Sequence, residues 1–453
     1  MTEGAPRRQQ SRETAARTYA RALPIVPVRA RGMTVEGADG RRYLDCLSGS
    51  GTLALGHNHP AVLAAIRKVL DSGAPLDVPD LATPVEDSFV RELRRTLPPG
   101  LAEHARVQFC GPSATEAVET AVALVRAATG RSGIVALTGT ERGPLAPGGS
   151  GSGSRCPFGA ADAGHGELAA QRSESAQRGE SARSATSAAT DPAGIVVEPV
   201  HGDCGVFPLS DAWMRATRRF TAARSIPLIA DETRTGVGRT GAFWAVEHSG
   251  VTPDVMILSD AIGGSLPLAA VIHHEALAPP RPIASSGPFR GNQLALAAGA
   301  ATLAHVREHR LAQRAATIGS RLLSQLDYLA AEFACIGEVR GRGLMIGVEL
   351  VGDREAVHDR APRDEFGTAW TGRAADSPAS GEVHAYGAYS AAPGLAAAVQ
   401  RECLRRGLIV GIAPGRPSVV RLLPPLTITD EQASAVLDRL ADALTSAARA
   451  HPA

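Results

Sequence analysis

The stretch IPLIADETRTGVGRTGAFWAVEHSGVTPDVMILSDAIGGSLPLA, residues 226–269, decides the fold. It holds two short apolar runs, Ile226–Asp231 and Val255–Ser259, each ending in a polar or glycine-rich turn. Runs that are apolar without alternation suit strands covered on both faces, the habit of parallel sheets. Asp231 and Glu232 stand where the first run ends, and Asp260 where the second does. Open α/β sheets bind ligands beyond the carboxyl ends of their strands, so these acids are candidate site residues. The competing reading is a surface charge or cap after a strand, and for Asp260 a turn aspartate ahead of Gly263-Gly264. Gly236-Val-Gly238-Arg-Thr-Gly241 is a literal GxGxxG. It opens no clear amphipathic helix and Phe243-Trp244 follow at once, so it is not read as a dinucleotide fingerprint.

Outward from this stretch the pattern continues. Ile134–Leu137 and Ile195–Val200 are strand-like, and Ala61–Gly73, Ala114–Gly130 and Asp211–Ala223 are helical. In the second helix Val118, Ala121, Val122 and Val125 share a face, with Gly130 as C-cap. Further on, Leu294–Glu308 and Leu311–Phe333 read as helices and Leu344–Leu350 as a strand. Leu395–Arg406, Leu408–Ile412, Val419–Leu423 and Asp430–Ala448 then alternate helix, strand, strand, helix. Two stretches rich in Gly, Ala and polar residues interrupt the pattern. Residues 144–194 bury too little apolar surface to offset ordering entropy and are expected to be mobile; 352–392 are expected to form a surface insertion. The expected architecture is α/β: a large, mostly parallel sheet domain with helices on both faces, then a smaller α+β domain. Its bounds are 1–60 for an N-terminal segment packing with the small domain, 61–310 for the large domain and 311–453 for the small one.

Composition narrows the function. Lys+Arg is 47 against Asp+Glu 46, a net charge of +1, which leaves no basic excess for non-specific binding of nucleic acid or anionic membrane. The start, MTEGAPRRQQSRETAAR, has no apolar core and is not expected to be a signal peptide. No apolar run reaches the ~18 residues of a membrane span. The cysteines lie far apart with no CxxC pair, so reduced thiols, no zinc site and a cytoplasmic location are expected. Lys68 is the only lysine in the chain, so any chemistry that needs a lysine must use it or go without.

Other candidates are weighed the same way. Gly111-Pro-Ser-Ala-Thr-Glu116 heads a helix, where free N–H groups and the Ser113 and Thr115 hydroxyls suit a phosphate; taken alone, an ordinary N-cap is the stronger reading. Phe289-Arg290-Gly291-Asn292 precedes a helix and reads locally as a loop. Arg340, Arg342 and Arg421 have the planar fork that suits a substrate carboxylate, against the alternative of salt bridges. His57-Asn-His59 has no acid or cysteine beside it and reads as a turn before Pro60. Cys110 reads as a small buried residue rather than a nucleophile.

The order of motifs carries a resemblance. YLDCLSGSGTLALGHNHP, VQFCGPSATEAVETA, IVVEPVHGDCGV, the opening stretch, FRGNQLALAAGAATL, VRGRGLMIGVEL and VVRLLPPLTIT follow one another along the chain. Together they resemble the class III aminotransferases, fold type I pyridoxal-phosphate enzymes, and among them the diaminobutyrate–2-oxoglutarate transaminases. The resemblance covers most of 17–143, 195–350 and 395–447. It implies that Ser113, Ala114 and Thr115 form the phosphate cup. Asp231 would pair with the pyridine nitrogen, keeping the ring an electron sink. Glu198 and Arg421 would handle substrate carboxylates. It also implies a homodimer with sites at the subunit interface, and amino transfer from a small diamino acid to 2-oxoglutarate.

The departures from the family pattern are as informative. The family's Schiff-base lysine corresponds to Asp260, and Lys68 matches a helix position remote from the ring. The family's ring-stacking aromatic–His–Gly turn corresponds to Glu141-Arg142-Gly143. The threonine that reaches the partner subunit's phosphate corresponds to Pro288, which has neither hydroxyl nor N–H. The stretch from Gly143 to Arg155 is shortened, with loss of a sheet strand. Conventional transamination is therefore expected to be lost or severely impaired, and pyridoxal or pyridoxamine phosphate to be held non-covalently if bound. One alternative is a lysine-independent enzyme using pyridoxamine phosphate with Asp260 as general base, since partial burial can raise a carboxylate toward neutrality. Another is a non-catalytic scaffold or a heterodimer partner of an intact aminotransferase. A working diaminobutyrate transaminase fits the residues least.

Overall fold

A computed structural model describes residues 23–78, 81–137, 191–278, 289–352 and 391–450. The described residues begin with β1 (Pro27–Arg31), β2 (Thr34–Gly37) and β3 (Arg42–Asp45), then α1 (Pro60–Asp71), α2 (Pro84–Arg94), β4 (Ala105–Phe109), α3 (Ala114–Thr129) and β5 (Ile134–Leu137). After the undescribed residues come β6 (Gly194–Val197), β7 (Val200–His201), β8 (Phe207–Pro208), α4 (Asp211–Ala223), β9 (Leu228–Asp231), β10 (Val255–Leu258), β11 (Ala270–His274), α5 (Gln293–Glu308) and α6 (Leu311–Glu332). The C-terminal part holds β12 (Ile336–Arg342), β13 (Met345–Leu350), α7 (Pro393–Arg405), β14 (Leu408–Ile409), β15 (Gly411–Ala413), β16 (Arg416–Leu422) and α8 (Asp430–Ala450).

The largest sheet runs β4-β11-β10-β9-β6-β5. Strands β10, β9, β6 and β5 are mutually parallel, while β11 is antiparallel to both β10 and β4. All these strands except β11 therefore end on one edge. Every residue of β6, β9 and β10 is buried. Alternate residues feed different apolar layers: Ile195, Val197, Leu228, Ala230, Met256 and Leu258 join one, while Val196, Ile229, Val255 and Ile257 join Val118, Ala121, Val122 and Val125 of α3 in the other. Two covered faces explain why these runs lack alternation.

An antiparallel sheet β12-β13-β16-β15 forms the C-terminal part. In a third sheet β3 pairs in parallel with β14, Leu44 opposite Leu408, which joins the N-terminal segment to C-terminal residues.

Several boundaries differ from the sequence reading. Leu408–Ile412 is not one strand: β14 joins the N-terminal sheet and β15 the C-terminal one, because one apolar run can serve two sheets if it bends. The run Ile195–Val200 ends at Val197, where Glu198-Pro199 leaves the ladder before β7. At the end of 144–194, Ala193 is buried, its N–H donates to Gly133 O at 2.6 Å, and Gly194 opens β6. Residues 144–190, the strand read as lost after Gly143, and most of 352–392 lie outside the described residues. Glu141, Arg142 and Pro288 do as well. Val351 and Ala391, which flank 352–390, pair in an antiparallel bridge.

The expectation of reduced thiols throughout is corrected: Cys204 is disulfide-bonded, while Cys46, Cys110, Cys335 and Cys403 are free. Sequence spacing misses such a bond because pairing depends on approach in space, not along the chain. Among the described residues no helix is long and apolar enough to cross a membrane, and no group of His, Cys, Asp or Glu is arranged to hold a metal ion.

Candidate active site at the carboxyl edge of the sheet

The strand order brings the predicted acids together. Asp231 ends β9, opposite Ile257 of β10, and Asp260 follows β10 directly after Ser259. Glu198 follows β6, and its N–H donates to Leu137 O at the end of β5 at 3.3 Å. Neighbouring strands are about 4.8 Å apart, so Asp260, Asp231 and Glu198 line one short edge.

The head of α3 opens at the same edge, after β4. Ser113 caps the helix, its Oγ accepting from Glu116 N, and the Glu116 carboxylate accepts from Ser113 N and from Ser113 Oγ at 2.7 Å. This capping box spends the Ser113 hydroxyl proton on Glu116, so that hydroxyl is not a free donor as the sequence suggested. The N–H groups of Ala114 and Thr115 have no acceptor among the described residues. With the exposed Thr115 hydroxyl they leave donors at a helix N-terminus, a setting whose dipole suits an anion. Cys110, just before it, is buried with its thiol pushed up to about 12 by desolvation, so it is no nucleophile at neutral pH.

Asp231 is 2% exposed, and its Oδ1 accepts from both Thr233 N and Thr233 Oγ1. Glu232 has partners of its own. Its Oε1 accepts from Val246 N at 2.8 Å and its Oε2 from Thr235 Oγ1. Full burial pushes its carboxyl up to about 7 against the pull of these bonds.

Asp260 adopts φ +56°, the left-handed region that a short polar side chain tolerates. Its turn, Asp260–Gly263, rests on α5 with no room to spare. A Cβ on Gly299 would come 2.1 Å from Ile262 O, and one on Gly264 2.5 Å from Ala298 O. Asn292 caps α5 by accepting from Ala295 N at 2.9 Å. The Phe289–Asn292 segment thus starts the helix that seats Asp260. Lys68 is exposed on α1.

The arginines come from the small domain. Arg421, on β16, is 4% exposed, and its Nη1 donates to Asp203 Oδ1 at 2.9 Å and Gly202 O at 3.5 Å. Burial lowers its pKa, and Asp203 opposes that shift. Arg234 Nη1 donates to the same Asp203 oxygen. Glu198 Oε1 accepts from Gly202 N at 3.4 Å, so the predicted pair Glu198 and Arg421 meets around the Gly202-Asp203 turn. Arg340 and Arg342 are structural instead. Arg340 pairs with Glu349 at 2.7 Å and Glu338 at 2.8 Å and donates to Gly205 O; Arg342 pairs with Asp211 at 2.8 Å. Gly415 N holds Asp203 O at 3.0 Å, completing the grip of the small domain on this turn.

Sequence reasoning missed Asp203, Arg234 and His201. The signal for Arg234 was its place in the polar turn after β9; for Asp203 and His201 it was the glycine-rich GDCG turn after Glu198. His201 is buried and desolvation lowers its pKa to about 4, so the ring is neutral.

Comparison with known proteins follows the same lines. The sequence model of the family described as Aminotransferase class-III matches residues 14–444. A Rhizobium meliloti (strain 1021) protein named diaminobutyrate–2-oxoglutarate aminotransferase is 42% identical, the match covering 97% of this chain and 91% of the relative. A Haemophilus influenzae protein of the same name is 34% identical over 97% of this chain and 94% of its own length. Among solved structures, a Toxoplasma gondii ornithine aminotransferase described with partial occupancy of PLP at its active site has a TM-score of 0.71. That match covers 98% of this chain and 94% of the other at 21% identity, and so speaks to fold alone.

Proposed function

The chain belongs to the class III aminotransferases, with the fold type I architecture, and on that premise we propose that it is a diaminobutyrate–2-oxoglutarate-type member in which conventional transamination is lost or severely impaired. The observation that carries this reading is Asp260. It follows β10 at the edge that also holds Asp231 and the head of α3, and it offers a carboxylate where covalent attachment of the cofactor needs an amine. Lys68, the only lysine, is exposed on α1.

The remaining residues suit pyridoxal or pyridoxamine phosphate held without a covalent link. The unsatisfied N–H groups of Ala114 and Thr115, with the Thr115 hydroxyl, would hold the phosphate, and the buried Asp231 carboxylate the pyridine nitrogen. When bound, the ring would supply an electron sink for chemistry at an amino-bearing carbon. Asp231, held by Thr233, would keep that nitrogen protonated. Arg421 would take a substrate carboxylate once it leaves Asp203. Glu198, held by Gly202 N, would set the charge beside it.

The preserved donors and Asp231 also favour a second reading, a lysine-independent enzyme in which Asp260 acts as a general base beside pyridoxamine phosphate. A homodimer is proposed as well, since Leu76, Leu81 and Phe289 are exposed around the start of α5, where Gln293 N donates to Leu76 O.

Spectrophotometric titration with each cofactor form, followed by borohydride reduction and peptide mapping, tests the proposal. The natural chain should bind the amine form saturably and trap no cofactor on any residue. The Asp260→Lys variant should trap pyridoxal phosphate at position 260. Ordinary 2-oxoglutarate-dependent amino transfer by the natural chain, or cofactor trapped on Lys68, would overturn it.

A further inference from the structure

We propose that Arg234 is a second anion-binding arm of this site, sharing Asp203 with Arg421, and that the two guanidinium groups together take one carboxylate of a small dicarboxylic acid. This rests on the reading that a dicarboxylate such as a 2-oxo diacid remains a ligand of the chain.

The geometry is specific. Arg421 and Arg234 each spend Nη1 on the same oxygen, Asp203 Oδ1. Each keeps a buried Nε that has no hydrogen-bond partner among the described residues. A guanidinium presents its N–H donors in a fixed fork, and a buried N–H without an acceptor is costly. Two such donors beside one carboxylate leave unused capacity for a second.

The access and the charges agree. Side-chain exposure is 24% for Arg234 and 17% for Asp203, against 5% for Arg421, so the cluster opens to solvent on the Arg234 side. The two cations are close enough that Arg234 depresses the Arg421 pKa, while Asp203 and Glu198 raise it. Glu198 is directed to Gly202 N and stands beside the fork. Asp203 thus acts as an internal stand-in for a ligand carboxylate. An incoming carboxylate replaces one carboxylate contact with another of the same kind and gains the Nε donors, whereas an uncharged group would leave both cations less well paired.

The specificity role falls to Arg234 because it forms the accessible wall. Its planar fork suits a carboxylate in a way that a lysine or glutamine at that position does not.

Calorimetric titration of the full chain with glutarate, with butyrate as the one-carboxylate control, tests this. The natural chain should bind glutarate more tightly than butyrate. Arg234→Gln should weaken glutarate binding about tenfold or more, and Arg234→Lys should recover part of the loss. Asp203→Asn should strengthen it by removing the competing carboxylate. The deciding comparison is a double-mutant cycle. If Arg234 contacts the ligand, Arg234→Gln still weakens binding in the Asp203→Asn background. If Arg234 only neutralises Asp203, the change has no effect there and the proposal fails. Thermal unfolding of each variant establishes that the fold survives, with Arg234→Lys carrying the test if Arg234→Gln does not fold. Failure of the natural chain to bind glutarate overturns the underlying dicarboxylate reading; binding that is indifferent to Arg234 overturns this proposal alone.

Discussion

Glu232 titrates where cells live. Its ordinary pKa is 4.5 and burial raises it to about 7. Between those values the folded chain holds a proton that the unfolded chain has lost, so this group's contribution to stability is full below 4.5 and declines as pH rises through 7. The linked change is on the order of 3 kcal/mol. His201 works the other way: its pKa falls from 6.5 to about 4, so its contribution grows with pH across that window. Comparing Glu232→Gln with the natural chain isolates the first effect. The variant should gain in relative stability between pH 5.5 and pH 8 in thermal unfolding, whatever fixed cost it carries from altered hydrogen bonds. An unchanged difference across that range would show that Glu232 does not titrate there. On the proposed reading the same scale governs Asp260, where one side chain would separate a covalent cofactor site from a non-covalent one.

At the scale of elements, α3 would link stability to the proposed phosphate binding. Its capping box, the αL glycine at its end (Gly130, φ +68°) and its apolar face on the sheet all act on one helix. Ser113→Ala removes the cap and should cost about 1 kcal/mol in denaturant unfolding. It also frees the Glu116 carboxylate beside the Ala114 and Thr115 N–H groups, so cofactor phosphate affinity should fall further than the stability loss explains. Equal affinity in the variant would argue against a phosphate at this helix head. The boundaries of α3 and α4 could be read from sequence because caps and apolar period both mark them. The split of Leu408–Ile412 could not, since nothing in an apolar pentapeptide says that its halves belong to different sheets.

At the scale of the molecule, the glycines of Gly236–Gly241 have their explanation. A Cβ on Gly238 would lie 3.1 Å from Leu426 Cδ1, and one on Gly241 2.9 Å from Ala316 Cβ. The motif is a packing seam against the C-terminal part of the chain. Arg239 within it is buried and meets no carboxylate among the described residues. It donates to Leu344 O at 3.3 Å, Gly51 O at 3.4 Å and Pro424 O, tying the sheet domain to the N-terminal segment and the small domain. Arg239→Met would strand these buried carbonyls. A loss of about 3 kcal/mol or more is expected in denaturant unfolding; a loss below about 1 kcal/mol would mean that the seam holds without it.

The sequence by itself determined the fold class, because doubly covered strands, capped helices and polar turns are written locally as residue type and period. It determined that Asp231 and Asp260 end neighbouring apolar runs and that one lysine serves the whole chain. The tertiary structure alone decided which charges meet. Asp203, Arg234 and Arg421 are far apart along the chain, and their shared oxygen exists only because β16 is brought against the Gly202-Asp203 turn. A local pattern fixes what an element is. The company a charge keeps depends on long-range closure, which no window of sequence contains.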